Sequence, residues 1–387
     1  MKFAQHPLWL VGFRPFFSLA MVAGIVLPLL WAVVFSGGMT PHLSGLTTIQ
    51  WHAHEMFFGF GWAVMGGFLL TSTKNWVGVR GYHGLPLLLL ALAWLQERLG
   101  LWFQGDLPPL LFLVSSNLFL VGMVVLLLAT LIRHRGTDNY RVDNRFFLLI
   151  LPLYIVAKAL LLSPDHFRAG EAMTIGLFRV AFLVMLERTL TQFMKGVFQV
   201  AIRRSPWLDL PIKLAAALLV FAPWLPASLA TALSLLLAGL LVVRFSLWRP
   251  DLGLSRVDIG VMYLGYLALA AQLLIDGLPQ ALQPAWVGTV SIHLFTFGVM
   301  GLIIPAMLIR ICNGHTGRPV HFDRLDKSVL YTLMGAFLLR LAAPQLLPDA
   351  YLHWIHASAL LWSLGFALLA WRYLPYLARP RVDGREH

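Results

Sequence analysis

Roughly twelve apolar runs, each near the about 20 residues that cross a bilayer as a helix, fill this chain and leave room for little else. They lie near residues 10–36, 50–73, 84–103, 108–132, 146–163, 171–194, 212–226, 228–248, 258–276, 285–309, 328–347 and 352–374. Backbone in hydrocarbon must satisfy its own hydrogen bonds, so runs of this length are helices. The expected fold is an all-α integral membrane protein, a bundle of about twelve transmembrane helices forming a single polytopic membrane domain over 1–387. Composition agrees: 59% of residues are hydrophobic and only 12% charged, against about a quarter in soluble domains. The first run is long and follows Arg14-Pro15, so it is expected to stay as a helix rather than act as a cleaved signal.

The formal charge of +12 does not point to nucleic acid, because the basic residues are scattered through connections and no soluble domain exists to carry a groove. They follow the positive-inside rule instead. Connections after even-numbered runs are basic, with Lys74 and Arg80 after the second and Arg133, Arg135, Arg141 and Arg145 after the fourth. Those after odd-numbered runs are nearly free of Lys and Arg, Arg168 excepted. Both termini are therefore expected in the cytoplasm. Cys312 is the only cysteine, which excludes an intramolecular disulfide and a cysteine-ligated zinc or iron-sulfur centre.

With that orientation the histidines stratify. His52, His54, His293, His353 and His356 fall towards the outer side, and His83, His134, His315, His321 and His387 towards the cytoplasm. His293 is expected about 10 Å inside its helix, counting about 1.5 Å per residue from Ala285. Trp51-His-Ala-His-Glu-Met56 puts two imidazoles, a carboxylate and a thioether into a spanning run, where ionisable groups are costly and usually functional. His, Glu and Met also ligate haem iron and copper. At about 100° per residue, His52 and His54 point about 200° apart and cannot share one ion on a regular helix. His52 shares a face with Glu55 and Met56, and His54 with Phe58. One imidazole is a candidate axial haem ligand, the other a copper ligand or a hydrogen-bond partner. The plain alternative is that interfacial His and Trp anchor the helix at the headgroups, and His353 and His356 beside Trp354 and Tyr351 suit that role better than ligation. His293 is either a ligand or a donor between helices.

Other polar residues interrupt the apolar runs. Arg14 would meet a haem propionate, another helix's carbonyls or lipid headgroups. Glu187 and Arg188 in the sixth run point about 100° apart and call for partners on other helices, with Lys158 a candidate for Glu187. Such groups serve either as a proton path or as ion pairs that fix helix register. Glycines 59, 61, 66, 67, 298 and 301 offer small surfaces for close packing.

At these residues the chain resembles the NnrS family of bacterial inner-membrane proteins. The matching blocks are Phe13-Arg-Pro-Phe-Phe17, Trp51-His-Ala-His-Glu-Met56, Gly67-Phe-Leu-Leu-Thr71 with Asn75-Trp76, His293 with Gly298 and Gly301, Arg310 with Gly314-His-Thr-Gly-Arg-Pro319, and the tail from Tyr373-Leu-Pro375 to Pro380-Arg-Val-Asp-Gly384. The resemblance implies a protein carrying haem b and copper, linked to nitric oxide and protection against nitrosative stress. It implies Arg14, His52, His54, Asn75, His293, Arg310, His315 and Arg318 around cofactors, with His52, His54 and His293 as metal ligands. The carboxylates expected to serve chemistry are Glu55, from the same pattern, and Glu187, from this chain's own sixth helix. One departure stands out: Leu186-Glu-Arg-Thr-Leu-Thr-Gln-Phe-Met194 replaces a block that in family members often reads Gly-Gly-Arg-Val-Ile-Pro.

The expected activity is nitric oxide reductase-like oxidoreduction with electrons from quinol or a donor protein, since no NAD or flavin fingerprint appears. The expected partners are nitric oxide, that electron donor and membrane lipid; a homo-oligomer is allowed. The rival readings are a non-catalytic haem or copper sensor or carrier, and a small-molecule transporter, which would show two related halves.

Overall fold

The structure is a computed structural model that describes residues 5–279 and 282–385; His387, expected on the cytoplasmic side, lies outside them. Among the described residues there is no strand. Twelve helices are long and apolar enough to cross a membrane: α1 Phe13–Phe35, α2 Thr48–Val77, α3 Leu85–Trp102, α4 Pro109–Arg133, α5 Arg141–Leu161, α6 Phe167–Phe198, α7 Pro206–Trp224, α8 Ala227–Leu247, α9 Val257–Gly277, α10 Val290–His315, α11 Arg324–Leu346 and α12 Pro348–Leu377. Each expected run has its helix.

Local chemistry sets the ends. Thr47 caps α2 in a reciprocal box with Gln50, whose amide also donates to the carbonyls of Leu161 (3.3 Å) and Ser163 (3.2 Å) at the end of α5. Asp323 and Asp326 form the same box at the start of α11. Helix α7 begins at Pro206 rather than near 212, because proline suits a first turn, and tightens into 3-10 geometry over Leu219–Trp224 around Pro223. Helix α10 begins at Val290, not near 285: Gly288 sits at φ +74°, a left-handed conformation that keeps the preceding residues out of the helix. His293 is thus only about 4.5 Å into its helix at about 1.5 Å per residue, correcting the expected 10 Å. At the other end α10 runs on to His315, its last helical residue.

The chain sorts into two compact units. The first comprises residues 1–171, 308–321 and 366–387, and the second residues 172–307 and 322–365. In the first, α1 packs on α2 and α3 on α4, with Trp62 and Tyr154 meeting edge to face at 5.0 Å in a buried core. The outer face of α3 is a row of exposed leucines at 85, 89, 92 and 99, the surface that lipid requires. In the second, α8 packs on α9, and α9 on the early part of α10. Close approach there depends on Gly301, where an added Cβ would lie 2.5 Å from the Trp362 ring.

Candidate functional site

Two of the twelve spans widen into π-helix, and each widening starts directly after a suspect histidine. Glu55–Gly61 of α2 and Leu294–Met300 of α10 are seven-residue π-helical segments, following His54 and His293. Such segments are rare and concentrate at functional sites. In α2 the cause is visible: Trp94 Nε1 donates to the Gly59 carbonyl at 3.0 Å and Arg98 Nη1 to the Phe58 carbonyl at 3.3 Å. Side chains of α3 thus take over carbonyls from the ladder, and the turn widens. Gly59 leaves room for this, since a Cβ there would stand 2.9 Å from Arg98 Nη1.

Around that widened turn the first unit buries a charged cluster. His54 is fully buried and stacks on Phe58, ring centroids 5.5 Å apart, as their shared face predicts. Its Nδ1 lies 3.3 Å from Glu55 Oε1 and its Nε2 3.2 Å from Glu97 Oε1. Arg98 Nε stands 2.8 Å from Glu55 Oε2, and its Nη2 3.2 Å from Glu97 Oε2. Lys158 from α5 closes the cluster on Glu97 and the Ser116 carbonyl. Several of these contacts are close without being aligned: His54 Nε2, Glu55 Oε2, Glu97 Oε2 and Arg98 Nε and Nη2 are buried with no hydrogen-bond partner of good geometry. The cluster therefore keeps spare donor and acceptor capacity in a dry place. Glu55, expected on the face of His52 and Met56, turns to His54 and Arg98 instead. His52 takes a different partner, lying flat on Trp31 at 4.0 Å and 11°.

Sequence reasoning missed Glu97 and Arg98. The signal was there as Gln96-Glu97-Arg98 in an otherwise apolar run, the same kind of interruption that drew notice to Glu187 and Arg188.

In the second unit His293 has a defined tautomer. A guanidinium can only donate, so Nε2, 3.3 Å from Arg340 Nη2, accepts. Nδ1 then carries the proton and donates to the Thr289 carbonyl at 2.8 Å. This is the arrangement in which a metal-ligating imidazole is usually held, its other nitrogen donating to a backbone carbonyl. Arg340 also lies 3.4 Å from the Tyr351 hydroxyl. In the same unit Arg179 donates to Gln272 at 2.9 Å, and Gln272 to Asp276 and Ser291, joining α6, α9 and α10.

Glu187 does not pair with Lys158. Its fully buried carboxylate is held by Arg204, by Lys213 at 2.9 Å and by Arg244 at 3.4 Å. Arg244 is further fixed by Tyr266 (2.9 Å) and Asp209 (3.5 Å). Three cations on one carboxylate tie α6 to α7 and α8, a register-fixing arrangement.

The remaining residues gather at one end of the first unit. Arg14, fully buried, donates to the carbonyls of Leu377 (2.8 Å) and Arg379 (2.6 Å) and caps α12, so the lipid-anchor alternative is overturned. Arg318 lies 3.8 Å over the Tyr376 ring and donates to Thr316 at 2.9 Å. The tail docks on the Gly314–Pro319 block: Arg381 donates to the His315 carbonyl (3.1 Å), Val382 N–H donates to the Thr316 carbonyl (3.1 Å), and Asp383 packs on Gly317. Asn75 and His315 line a common cavity, and Arg310 is buried on α10. His353 and His356 are exposed.

Among the described residues no group of three or more His, Cys, Asp or Glu is placed to hold a metal ion. His293 fits a haem, which asks for only one or two axial side chains. His54, with a carboxylate at each nitrogen, fits a proton-holding role better than ligation.

These features define a helical protein of the multi-pass membrane class with histidine and carboxylate side chains buried together in its candidate spans. The family model described as NnrS protein matches residues 7–381, nearly the whole chain. The chain belongs to the NnrS family. No curated protein matches it.

Proposed function

We propose that this chain is a haem b protein of the bacterial inner membrane, with both termini in the cytoplasm, that binds nitric oxide and reductively consumes it, protecting the cell against nitrosative stress. The observation that carries the reading, beside family membership, is the buried cluster of His54, Glu55, Glu97, Arg98 and Lys158 at the start of a π-helical segment. Ionisable groups buried in a bilayer are costly and usually functional.

Coupling two nitric oxide molecules to nitrous oxide and water takes two electrons and two protons. Electrons come from quinol or a donor protein, and nitric oxide, being apolar, enters through the bilayer. Bound haem supplies the site where the gas binds and electrons arrive. His293 would hold it through Nε2, the nitrogen that the Nδ1 hydrogen bond to the Thr289 carbonyl leaves without a proton, in place of the Arg340 contact. For copper, the second metal of the resemblance, the described residues offer no group of three or more His, Cys, Asp or Glu placed to hold it. His54 lies between the Glu55 and Glu97 carboxylates as the proton carrier, and Lys158 and Arg98 balance the charge of those two carboxylates. Phe58 and Tyr154 pack beside the cluster.

Purified protein should show a Soret band that His293→Ala abolishes. Glu97→Gln should keep the band and slow anaerobic consumption of nitric oxide by reduced protein. Absence of the band from the wild type sinks the reading, and uptake of about one equivalent per site would make the protein a carrier or sensor.

A further inference from the structure

The first unit contains a cavity of about 200 Å³ where the end of α2, the segment before α1, the end of α10 and the C-terminal tail meet. Its polar lining is Lys74, Asn75, Arg80, His315, Arg381 and Thr71, with no carboxylate. The Thr71 hydroxyl is already engaged with Phe13 N–H (2.8 Å) and the Gly67 carbonyl (2.7 Å). Arg381 is compensated by Asp383, which accepts from its Nε at 2.9 Å and its Nη2 at 2.5 Å. Lys74 and Arg80 have no such counterpart; among the described residues neither forms an ion pair or a hydrogen bond. Basic residues at a helix end are ordinary in membrane proteins. Lys74, Asn75 and Arg80 are all exposed, but here they come together from two chain segments at one concave space.

We propose that this cavity binds a phosphoryl group, supplied either by free phosphate or by the headgroup of an anionic lipid. Lys74 supplies a point charge, Arg80 a planar fork and Asn75 a neutral donor, from two separate chain segments. A tetrahedral phosphoryl has enough oxygens to meet all three, whereas a planar carboxylate is satisfied by one fork. The volume is below the about 300–1,000 Å³ of sites for drug-sized ligands and suits a headgroup. Asn75 and His315 face an anion in this site, which rests on no part of the haem reading.

The test uses the full chain in detergent micelles, in phosphate-free buffer. One arm titrates inorganic phosphate calorimetrically. The other delipidates the protein and measures retention of phosphatidylglycerol against phosphatidylcholine by native mass spectrometry. Lys74→Gln with Arg80→Gln should weaken phosphate binding or phosphatidylglycerol retention at least tenfold, while Arg133→Gln with Arg135→Gln, the same charge change outside the cavity, should alter it less than twofold. Should the cavity pair fail to fold, the single variants on these exposed side chains give the reading, each with at least a threefold loss. Phosphate binding assigns the free anion, and selective phosphatidylglycerol retention assigns lipid. Neither binding, or equal losses in the two pairs, overturns the site.

Discussion

Replacing Lys158 by Met tests whether the buried cluster is an interdependent charge set. Lys158 is 1% exposed, and its ammonium contacts Glu97 and the Ser116 carbonyl. With it, Glu55 and Glu97 face Arg98 and Lys158, two negative charges against two positive. Without it, Glu97 keeps only the poorly aligned Arg98 contact at 3.2 Å and the unaligned His54 nitrogen at 3.2 Å. Removing one partner of a buried pair typically costs about 3–5 kcal/mol, because the survivor is left charged in a dry site. Removing both partners is often close to neutral. Lys158→Met should therefore lose about 3–5 kcal/mol in equilibrium unfolding in mixed micelles, and adding Glu97→Gln should restore most of it. The reasoning fails if Lys158→Met loses less than about 1 kcal/mol, the value of an exposed pair, or if the double variant is no more stable than the single.

Three further outcomes follow from packing and charge elsewhere. Arg14→Leu removes two charge-assisted hydrogen bonds to the end of α12, each worth about 1.5–3 kcal/mol, and should speed proteolysis of the tail while Arg14→Lys partly protects it. Gly301→Ala drives a methyl into the Trp362 ring and should cost about 1–3 kcal/mol in the same unfolding assay, whereas Gly239→Ala, where an added Cβ meets nothing within 4 Å, should be neutral or stabilising. The hydrogen bonds from Arg381 hold the Asp383 carboxyl down at about 2, below its ordinary 3.8. A depressed carboxylate stabilises above its unfolded value and stops doing so as pH falls through its folded one, so protection of the Val382 amide in hydrogen exchange should weaken between about pH 4 and pH 2 and be flat above.

The spans were legible because lipid imposes one rule on every helix, a sustained apolar run, and each of the twelve appears with ends shifted by a few residues. Arg14 was half legible: a buried cation at a helix start demands acceptors, but only the fold shows that they are the carbonyls of Leu377 and Arg379. The separate surroundings of His52 and His54 followed from helical geometry alone. The partner of Lys158 did not, because sequence does not say which helices are neighbours; Glu187 was the wrong carboxylate, and Glu97 lay unnoticed. Nor could sequence reveal the π-helical turns, since their cause in α2 lies in Trp94 and Arg98, some forty residues downstream.

A π-helical stretch also alters how the span around it is counted. Over Glu55–Gly61 each turn holds more residues than an α-helical turn, so the facing of α2 beyond Trp62 is offset from the wheel set by Thr48–His54. The offset acts as a built-in slack of chain. Deleting one residue elsewhere in α2 would rotate everything after it by about 100° and turn core groups towards lipid. Deleting one within the widened turn lets the backbone relax to ordinary α-helix, so this stretch just after His54 is where α2 can change length and still pack.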